Sequence, residues 1–295
     1  MDKKENKKNW YDKYYKLLFI FPLALLIISL IYLGLFYQKH GDFIYKDVSL
    51  SGGTTITLTS NINPDLLETE LKKEYSDITF RRLTDLRTGR PVSFVIESSA
   101  SPEQLKSSIE KILNIQLTDE NSSIEFTGSS LSQNFYKQLI IAIIIAFILM
   151  SLVVAFSFKT FIPSMAVILS AFSDIVMPLA LINLLNIRLS AAGIAAFLML
   201  IGYSVDTDIL LTSRVLKKRE GALNERIFSA FKTGITMTLT SLAAVLPVFF
   251  LLSGLPDSFR QIFLILAIGL SADLINTWLT NASIIKWYCL KKNIT

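Results

Sequence analysis

The chain has 295 residues, of which 52% are hydrophobic and 18% are charged, and its mean hydropathy is +0.49. Soluble domains have mean hydropathies near or below zero, so these values indicate a membrane protein and exclude two water-soluble cores. The net charge of +5 comes from cations beside apolar runs, which favours membrane-flanking charge over nucleic-acid binding. A single Cys and a single His exclude an internal disulfide, a Cys- or His-based metal centre and Ser-His-Asp or Cys-His catalysis. We therefore expect no enzyme activity, no cofactor and no metal site.

Six apolar runs are long enough to cross a bilayer, whose hydrocarbon core of about 30 Å requires about 20 helical residues. They cover approximately residues 17–36, 139–156, 161–184, 189–211, 235–252 and 262–284. The first run is longer than the core of a secretory signal and lacks a small-x-small cleavage site, so it is interpreted as a retained anchor. The sequence therefore predicts a polytopic α-helical membrane protein with six transmembrane helices, the last five within residues 139–285.

The positions of Lys and Arg predict the orientation, because cations beside a span resist transfer to the outside. Residues 1–16 hold six Lys, and the segment between the fourth and fifth runs is also strongly basic. The loops after the third and fifth runs contain only one cation each, Arg188 and Arg260. Both termini, residues 1–16 and 286–295, are therefore expected in the cytoplasm, and residues 37–138 are expected outside.

Residues 37–138 have the pattern of a small α+β domain. Segments 54–60, 78–83, 92–98 and 124–127 are typical of strands, and the turn-prone residues 87–91 predict a hairpin between the middle two. One helix is predicted to begin at Asn63 and Pro64, and another at Ser101, where a capping box is present. The order βαββαβ predicts a ferredoxin-like fold. The sequon at Asn121 is a candidate glycosylation site, and nothing in the domain indicates catalysis.

Four aspartates, Asp174, Asp206, Asp208 and Asp273, lie within the apolar runs. An Asp at the centre of a span costs about 2.5 to 3.5 kcal/mol on insertion scales, so each needs a specific role. Asp174 and Asp273 are near the middles of their spans, whereas Asp206 lies toward the cytoplasmic side. Asp208 is expected still closer to bulk water, and at about 100° per residue it points away from Asp206.

Small and hydroxylated residues accompany these acids. Ser170, Gly202 and Gly269 each stand one turn before an acid, where they would let helices approach closely or admit water. Thr236 and Thr240 belong to a hydroxyl stripe on the fifth span, which either lines a polar path or bonds to its own backbone carbonyls. Two interpretations of the acids remain open: ion or proton handling, and structural hydrogen bonding.

Residues 202–214, which include Gly202, Tyr203, Ser204 and Arg214, resemble the fourth-span motif of the SecF family of protein-export membrane proteins in its archaeal form. Leu-Ser-Gly-Gly-Thr at residues 50–54, with Gly52, Gly53 and Thr54, resembles the second signature of that family. The layout, six spans with one large external domain between the first two, is similar to the half-unit of the RND superfamily, to which SecD and SecF belong. The resemblance covers essentially the whole chain.

The resemblance implies an accessory role beside the Sec translocon, in complex with SecD, that helps secreted polypeptides emerge and in bacteria draws on the proton gradient. This chain departs from the bacterial pattern at Asp206-Thr207-Asp208, where bacterial members have Asn-Asp-Thr, and at Thr236, where they have Arg. Asp206 lies inside the motif at an intermediate depth, so we expect it to be the principal proton or ion site. Ala192 and Ala196 are expected to form the face that packs against a partner.

Two other functions fit the sequence. One is an RND-type exporter of lipids or small molecules, which would have to act as a homodimer because the chain supplies a single six-span half. The other is a scaffold whose buried acids only hold helices together. The expected partners are SecD, the Sec translocon, secreted polypeptides and the lipid bilayer, without nucleic acid, in an archaeal plasma membrane.

Overall fold

The computed structural model of the protein describes residues 10–59, 64–75, 77–84, 91–217, 221–251 and 257–294. Six of the helical segments are long and apolar enough to cross a membrane, as the sequence predicts. In chain order the helices are α1 (Trp10–His40), α2 (Val48–Ser51), α3 (Pro64–Glu74), α4 (Pro102–Leu113), α5 (Ser129–Phe158), α6 (Phe161–Leu184), α7 (Ala191–Lys217), α8 (Leu223–Leu251), α9 (Asp257–Ile275) and α10 (Ala282–Lys291). A π-helical turn (Asn276–Asn281) joins α9 to α10, and the three together form the last span.

The six spans form an inner and an outer group. In the most apolar part of each span, 56%, 56% and 50% of the residues are buried for α6, α7 and the last span, against 17%, 6% and 11% for α1, α5 and α8. α5 exposes large apolar side chains such as Ile141, Ile144 and Leu152. A helix that the described residues leave exposed in this way is expected to face lipid or another subunit. The four predicted acids all lie on the inner spans.

Several helices extend beyond the predicted apolar runs. α5 begins at Ser129 rather than at residue 139, and α8 begins at Leu223 rather than at residue 235. Apolarity marks only the part of a helix in hydrocarbon, whereas backbone hydrogen bonding continues past the bilayer. The last span likewise reaches Lys291, so Lys286, which the sequence assigns to the tail, lies within α10 and is fully buried.

A four-stranded antiparallel sheet lies between the first two spans. Its strands are β1 (Gly53–Leu58), β2 (Thr79–Thr84), β3 (Pro91–Ser98) and β4 (Ser122–Thr127), in the spatial order β2-β3-β1-β4. β2 and β3 pair as the predicted hairpin, and Ser101 caps α4 through the predicted capping box with Gln104. The predicted cap Asn63 and turn residues 87–90 lie outside the described residues. Asn121, the sequon residue just before β4, donates a hydrogen bond from its side-chain Nδ2 to Gln116 O at 2.9 Å.

The core of this sheet layer follows from the alternation of side chains along the strands. Ile56 of β1 and Ile96 of β3 are paired across the sheet and are fully buried on the side that α3 and α4 cover. The helices contribute Leu67, Leu71, Leu105 and Ile109, all with 1% exposure or less. Leu67 and Leu71 are four residues apart, as are Leu105 and Ile109, so each helix turns one apolar face to the sheet.

A short connection, which the sequence does not predict, fixes the sheet to the inner spans. Leu189, in the loop between α6 and α7, donates its N–H to Tyr45 O at 2.6 Å and accepts from Asp47 N at 3.1 Å. Asp47 caps α2 by accepting from Ser49 N at 2.9 Å. Burial raises the pKa of the Asp47 carboxyl to about 6, although hydrogen bonds from Ser49 act in the opposite direction.

Gly52, Gly53 and Thr54 stand at a crowded point where β1 begins. Both glycines have positive φ, +85° and +137°. A Cβ on Gly52 would lie 2.3 Å from Ser129 Cα at the start of α5, and a Cβ on Gly53 would lie 2.3 Å from the carbonyl oxygen of Ser98. The Thr54 hydroxyl is buried and donates to Ala100 O at 2.6 Å. The signature therefore permits close packing of β1 against β3 and α5.

Gly53→Ala should lower the stability of the chain, because the added methyl group meets a backbone carbonyl and the backbone conformation disfavours L residues. Such a conformation alone costs about 1–3 kcal/mol. Gly41→Ala is the matched control, since Gly41 also has a positive φ of +72° but nothing lies within 4 Å of an added Cβ. The midpoint of thermal unfolding in detergent should fall further for Gly53→Ala, and equal midpoints for the two variants would contradict the close packing.

Candidate functional site

Three carboxyl side chains from three inner spans meet inside the helical bundle. Asp174 of α6, Asp208 of α7 and Asp273 of α9 are 1%, 0% and 0% exposed. The hydrogen-bond donors described around them are hydroxyls and side-chain amides from neighbouring helices. The cluster is therefore closed off from bulk solvent, and protein side chains supply the hydrogen bonds that buried polar groups require.

Asp174 and Asp273 are each held through contacts with more than one helix. Asp174 accepts a hydrogen bond from Asn276 Nδ2 at 2.6 Å and another from the Ser204 hydroxyl. Asp273 Oδ2 accepts from the hydroxyls of Thr207 at 3.2 Å and Thr238 at 3.4 Å. These contacts join α6, α7, α8 and the last span at one level of the bundle.

Thr277 lies between Asp208 and Asp273. Its Oγ1 lies 2.9 Å from Oδ1 of Asp208 and 2.9 Å from Oδ1 of Asp273. Asn281 Nδ2 also donates to Asp208 Oδ1 at 2.7 Å. A hydroxyl has only one hydrogen to donate, so the second of the two carboxyls completes its contact with Thr277 only by supplying a proton itself.

The π-helical turn explains how one span supplies donors to two different acids. In a π-helix each backbone bond connects residues five apart rather than four. Asn276 and Asn281 are five apart, and the turn directs Asn276 to Asp174 and Asn281 to Asp208. π-helical turns occur frequently at functional sites, and this one lies at the cluster itself.

Small residues allow the helices to come together at the cluster. A Cβ on Gly269, one turn before Asp273, would lie 2.3 Å from Leu200 Cδ2 of α7. A Cβ on Gly234 of α8 would lie 2.4 Å from the Trp278 ring. The sequence expectation that Gly269 permits close approach is therefore confirmed, whereas Gly202 has nothing within 4 Å of an added Cβ.

The structure leaves Asp206 out of this cluster. Asp206, Gly202 and Tyr203 lie on an exposed face of α7, and Tyr203 is 51% exposed. The expectation that Asp206 and Asp208 point to different sides of the helix is confirmed, but the expectation that Asp208 lies nearer bulk water is wrong. Asp208 faces the last span, whose Asn281 covers it.

The other predicted motif residues have separate contacts. Ser204 belongs to the cluster through Asp174. Arg214 Nη1 donates to Ser229 O at 2.7 Å and to Thr233 Oγ1 at 2.8 Å, which ties α7 to α8. Thr236 and Thr240 are exposed and donate to the carbonyls of Lys232 and Thr236 at 2.8 and 2.7 Å, so the structure does not bring them to the cluster.

Most of the residues that solvate the acids are not among those predicted from the sequence. Asn276, Thr277 and Asn281 are polar side chains in an apolar span, within two turns after Asp273, and that clustering is the signal that could have identified them. Thr207 shares the motif with its acidic neighbours, and Thr238 lies between the two threonines of the predicted stripe. Their roles depend on helix rotation, which apolar periodicity alone does not define.

Six spans, a sheet domain inserted between the first two and a cluster of acids on the inner helices define a class of polytopic transport-type membrane protein. The family model described as protein export membrane protein SecD/SecF, C-terminal, matches residues 107–291. The chain belongs to this family.

Relatives and solved structures agree with this assignment. The chain is 39% identical to protein-export membrane protein SecF of Methanocaldococcus jannaschii, over 94% of this chain and 96% of the relative. It is 38% identical to SecF of Methanolacinia petrolearia, over 92% of each chain. The crystal structure of SecDF from Thermus thermophilus, a translocon-associated membrane protein, is similar in fold with a TM-score of 0.75 at 19% identity. That similarity covers 98% of this chain and 39% of the SecDF chain.

Asn281→Leu should destabilise the chain by about 1–3 kcal/mol, because it removes a donor from a fully buried carboxyl group at similar side-chain volume. Combining it with Asp208→Leu removes both partners, so the loss in the double variant should be smaller than the sum of the two single losses. Thermal unfolding in detergent measures all three variants. Strictly additive losses would show that Asn281 and Asp208 do not depend on each other.

Proposed function

We propose that the chain is an accessory subunit of the Sec protein-export machinery, acting with SecD to promote the translocation of secreted polypeptides. The support is its relatives named protein-export membrane protein SecF, which match over nearly their whole length. The names of these relatives do not favour the alternative function, an RND-type exporter of lipids or small molecules. The chain corresponds to 39% of the length of the SecDF chain.

The observation that carries the partnership is the exposed acidic face of α7. Asp206, Tyr203, Gly202 and Met199 form a strip that is exposed in the part of the chain that the structure describes. An aspartate facing lipid within a span costs about 2.5 to 3.5 kcal/mol, so a partner's helices are expected to cover it. The sequence predicts that Ala192 and Ala196 form the face that packs against a partner. That expectation is wrong for Ala196, which is buried in this chain's own core.

The orientation and the nature of the inserted domain belong to the same proposal. Residues 37–138 would form a ferredoxin-like domain outside the membrane, with both termini in the cytoplasm. The sheet order β2-β3-β1-β4 with two helices on one face supports that fold. The excess of Lys and Arg in residues 1–16 and in residues 212–234, between the fourth and fifth apolar runs, supports that orientation.

Proton handling by the buried acids would couple export to an ion gradient. Thr277 lies between Asp208 and Asp273 with one hydrogen to share, so protonation of either carboxyl changes which hydrogen bond is made. Asp206 on the neighbouring face would exchange protons with the partner or with cytoplasmic water. In this proposal the cluster of Asp174, Asp208 and Asp273 is a site that α6, α7 and the last span form together.

Substitution of Asp206 or Asp273 by Asn should abolish stimulation of export while leaving the protein assembled, because Asn keeps the size but does not take up a proton. The burial of Asp208 predicts the same result for Asp208→Asn. Accumulation of the uncleaved precursor of a secreted reporter, in a strain lacking the native gene, measures export. Asp119→Asn, at an exposed position in the sheet domain, is the control. Normal export by the three variants Asp206→Asn, Asp208→Asn and Asp273→Asn would assign the acids a structural role instead.

A membrane-impermeant thiol reagent added outside should label Asp119→Cys and should not label Ala222→Cys. Both positions are exposed, so their labelling differs only through the side of the membrane on which they lie. The native Cys289 is fully buried and should not react in either case. Labelling of Ala222→Cys alone would reverse the proposed orientation.

A further inference from the structure

A groove of about 430 Å³ lies between the beginning of α1 and α10. Tyr15 and Phe19 form one wall, Ile284 and Trp287 form the other, and the exposed side chain of Lys16 stands at the rim. The Ser283 hydroxyl donates to Tyr15 O at 2.9 Å and joins the two helices beside the groove. The groove is therefore apolar along its walls and cationic at one end.

The surroundings of the groove are strongly basic. Lys286 is fully buried in α10 with Nζ 5.3 Å from the centre of the Tyr15 ring, and Lys291 Nζ lies 5.1 Å from the centre of the Trp287 ring. In the sequence, residues 13–41 and 274–295 contain no Asp or Glu. The acid nearest to Lys16 along the chain is Asp12, four residues before it. A groove with this charge attracts an anion.

The position of the groove indicates what kind of anion it takes. Tyr and Trp side chains with a polar edge favour the headgroup level of a bilayer, and the groove contains one of each. Next to Lys16, α1 exposes Leu17, Ile20 and Phe21, which form an uninterrupted apolar surface leading away from the rim. A ligand that fits must carry a negative charge at the membrane boundary and an apolar part that extends into the bilayer.

We propose that this groove binds one anionic phospholipid, with its phosphate at Lys16 and an acyl or isoprenoid chain lying against Phe19 and Ile284. Basic pockets between transmembrane helices are sites of this kind for anionic headgroups. The lipid connects the first span to the end of the last span. It thereby stabilises α10, which follows directly from the π-helical turn that supplies Asn281 to the acid cluster.

The test uses the purified full chain in mild detergent, with phosphatidylglycerol or phosphatidylcholine of the same acyl chains added in increasing amounts. Phosphatidylglycerol should raise the midpoint of thermal unfolding more than phosphatidylcholine does. Native mass spectrometry should show one retained phosphatidylglycerol per chain.

Lys16→Gln should lose most of the phosphatidylglycerol effect, and Lys16→Arg should keep it. Lys39→Gln is the matched control, because Lys39 is exposed at the opposite end of the same helix, and it should behave like the unchanged chain. Glycerol phosphate, which has the headgroup without acyl chains, should not stabilise the chain.

Three results would overturn the proposal. They are equal stabilisation by the two lipids, equal behaviour of Lys16→Gln and Lys39→Gln, or full stabilisation by glycerol phosphate alone.

Discussion

Three aspartates inside a membrane-spanning bundle are tolerated only when the chain itself supplies the hydrogen-bond donors that water would otherwise provide. Much of the bundle's local structure serves this requirement. The π-helical turn directs Asn276 and Asn281 to different acids, and Gly269 lets α9 approach α7 closely enough for the contacts to form. The arrangement of the inner spans is thus one in which Asp174, Asp208 and Asp273 each lie within hydrogen-bonding distance of at least two side chains that can donate.

The sequence predicts the number of spans and the order of elements in the inserted domain because both depend on local patterns. A run of apolar residues defines a span by length, and the spacing of Leu67 and Leu71 defines a helix face without reference to the rest of the chain. The motif around Gly202 likewise indicates the family through residue identities alone. Such features need no information about which helices are neighbours.

The composition of the candidate site could not be predicted in the same way. Asp206 and Asp208 are two residues apart in one motif, and only helix packing determines that Asp208 is buried while Asp206 is exposed. The sequence favours Asp206 because it lies inside the motif at an intermediate depth, one turn after Gly202, but in the described part of the chain no atom lies within 4 Å of a Cβ added to Gly202. Nor does α-helical periodicity predict a π-helical turn, so the side chains beyond Asp273 are assigned to the wrong faces by a uniform angle per residue.

The inner spans that carry the cluster also hold the inserted domain at their other ends. Asn183, near the end of α6, donates to Phe43 O at 2.6 Å, and Leu189 before α7 pairs with Tyr45 and Asp47. Ala191 N, at the first residue of α7, donates to the Ser49 hydroxyl at 2.9 Å.

α6 and α7 thus each carry an acid in the bundle and, at or beside one end, a hydrogen-bonded contact to the segment that leads into β1. A change in the packing of α6 against α7 at the acids is expected to reach the segment before Gly53 more directly through α7, because Pro178 interrupts the hydrogen bonding of α6 between Asp174 and Asn183. The direct mechanical connection to the domain thus runs through α6 and α7, in addition to the covalent connections from α1 and α5.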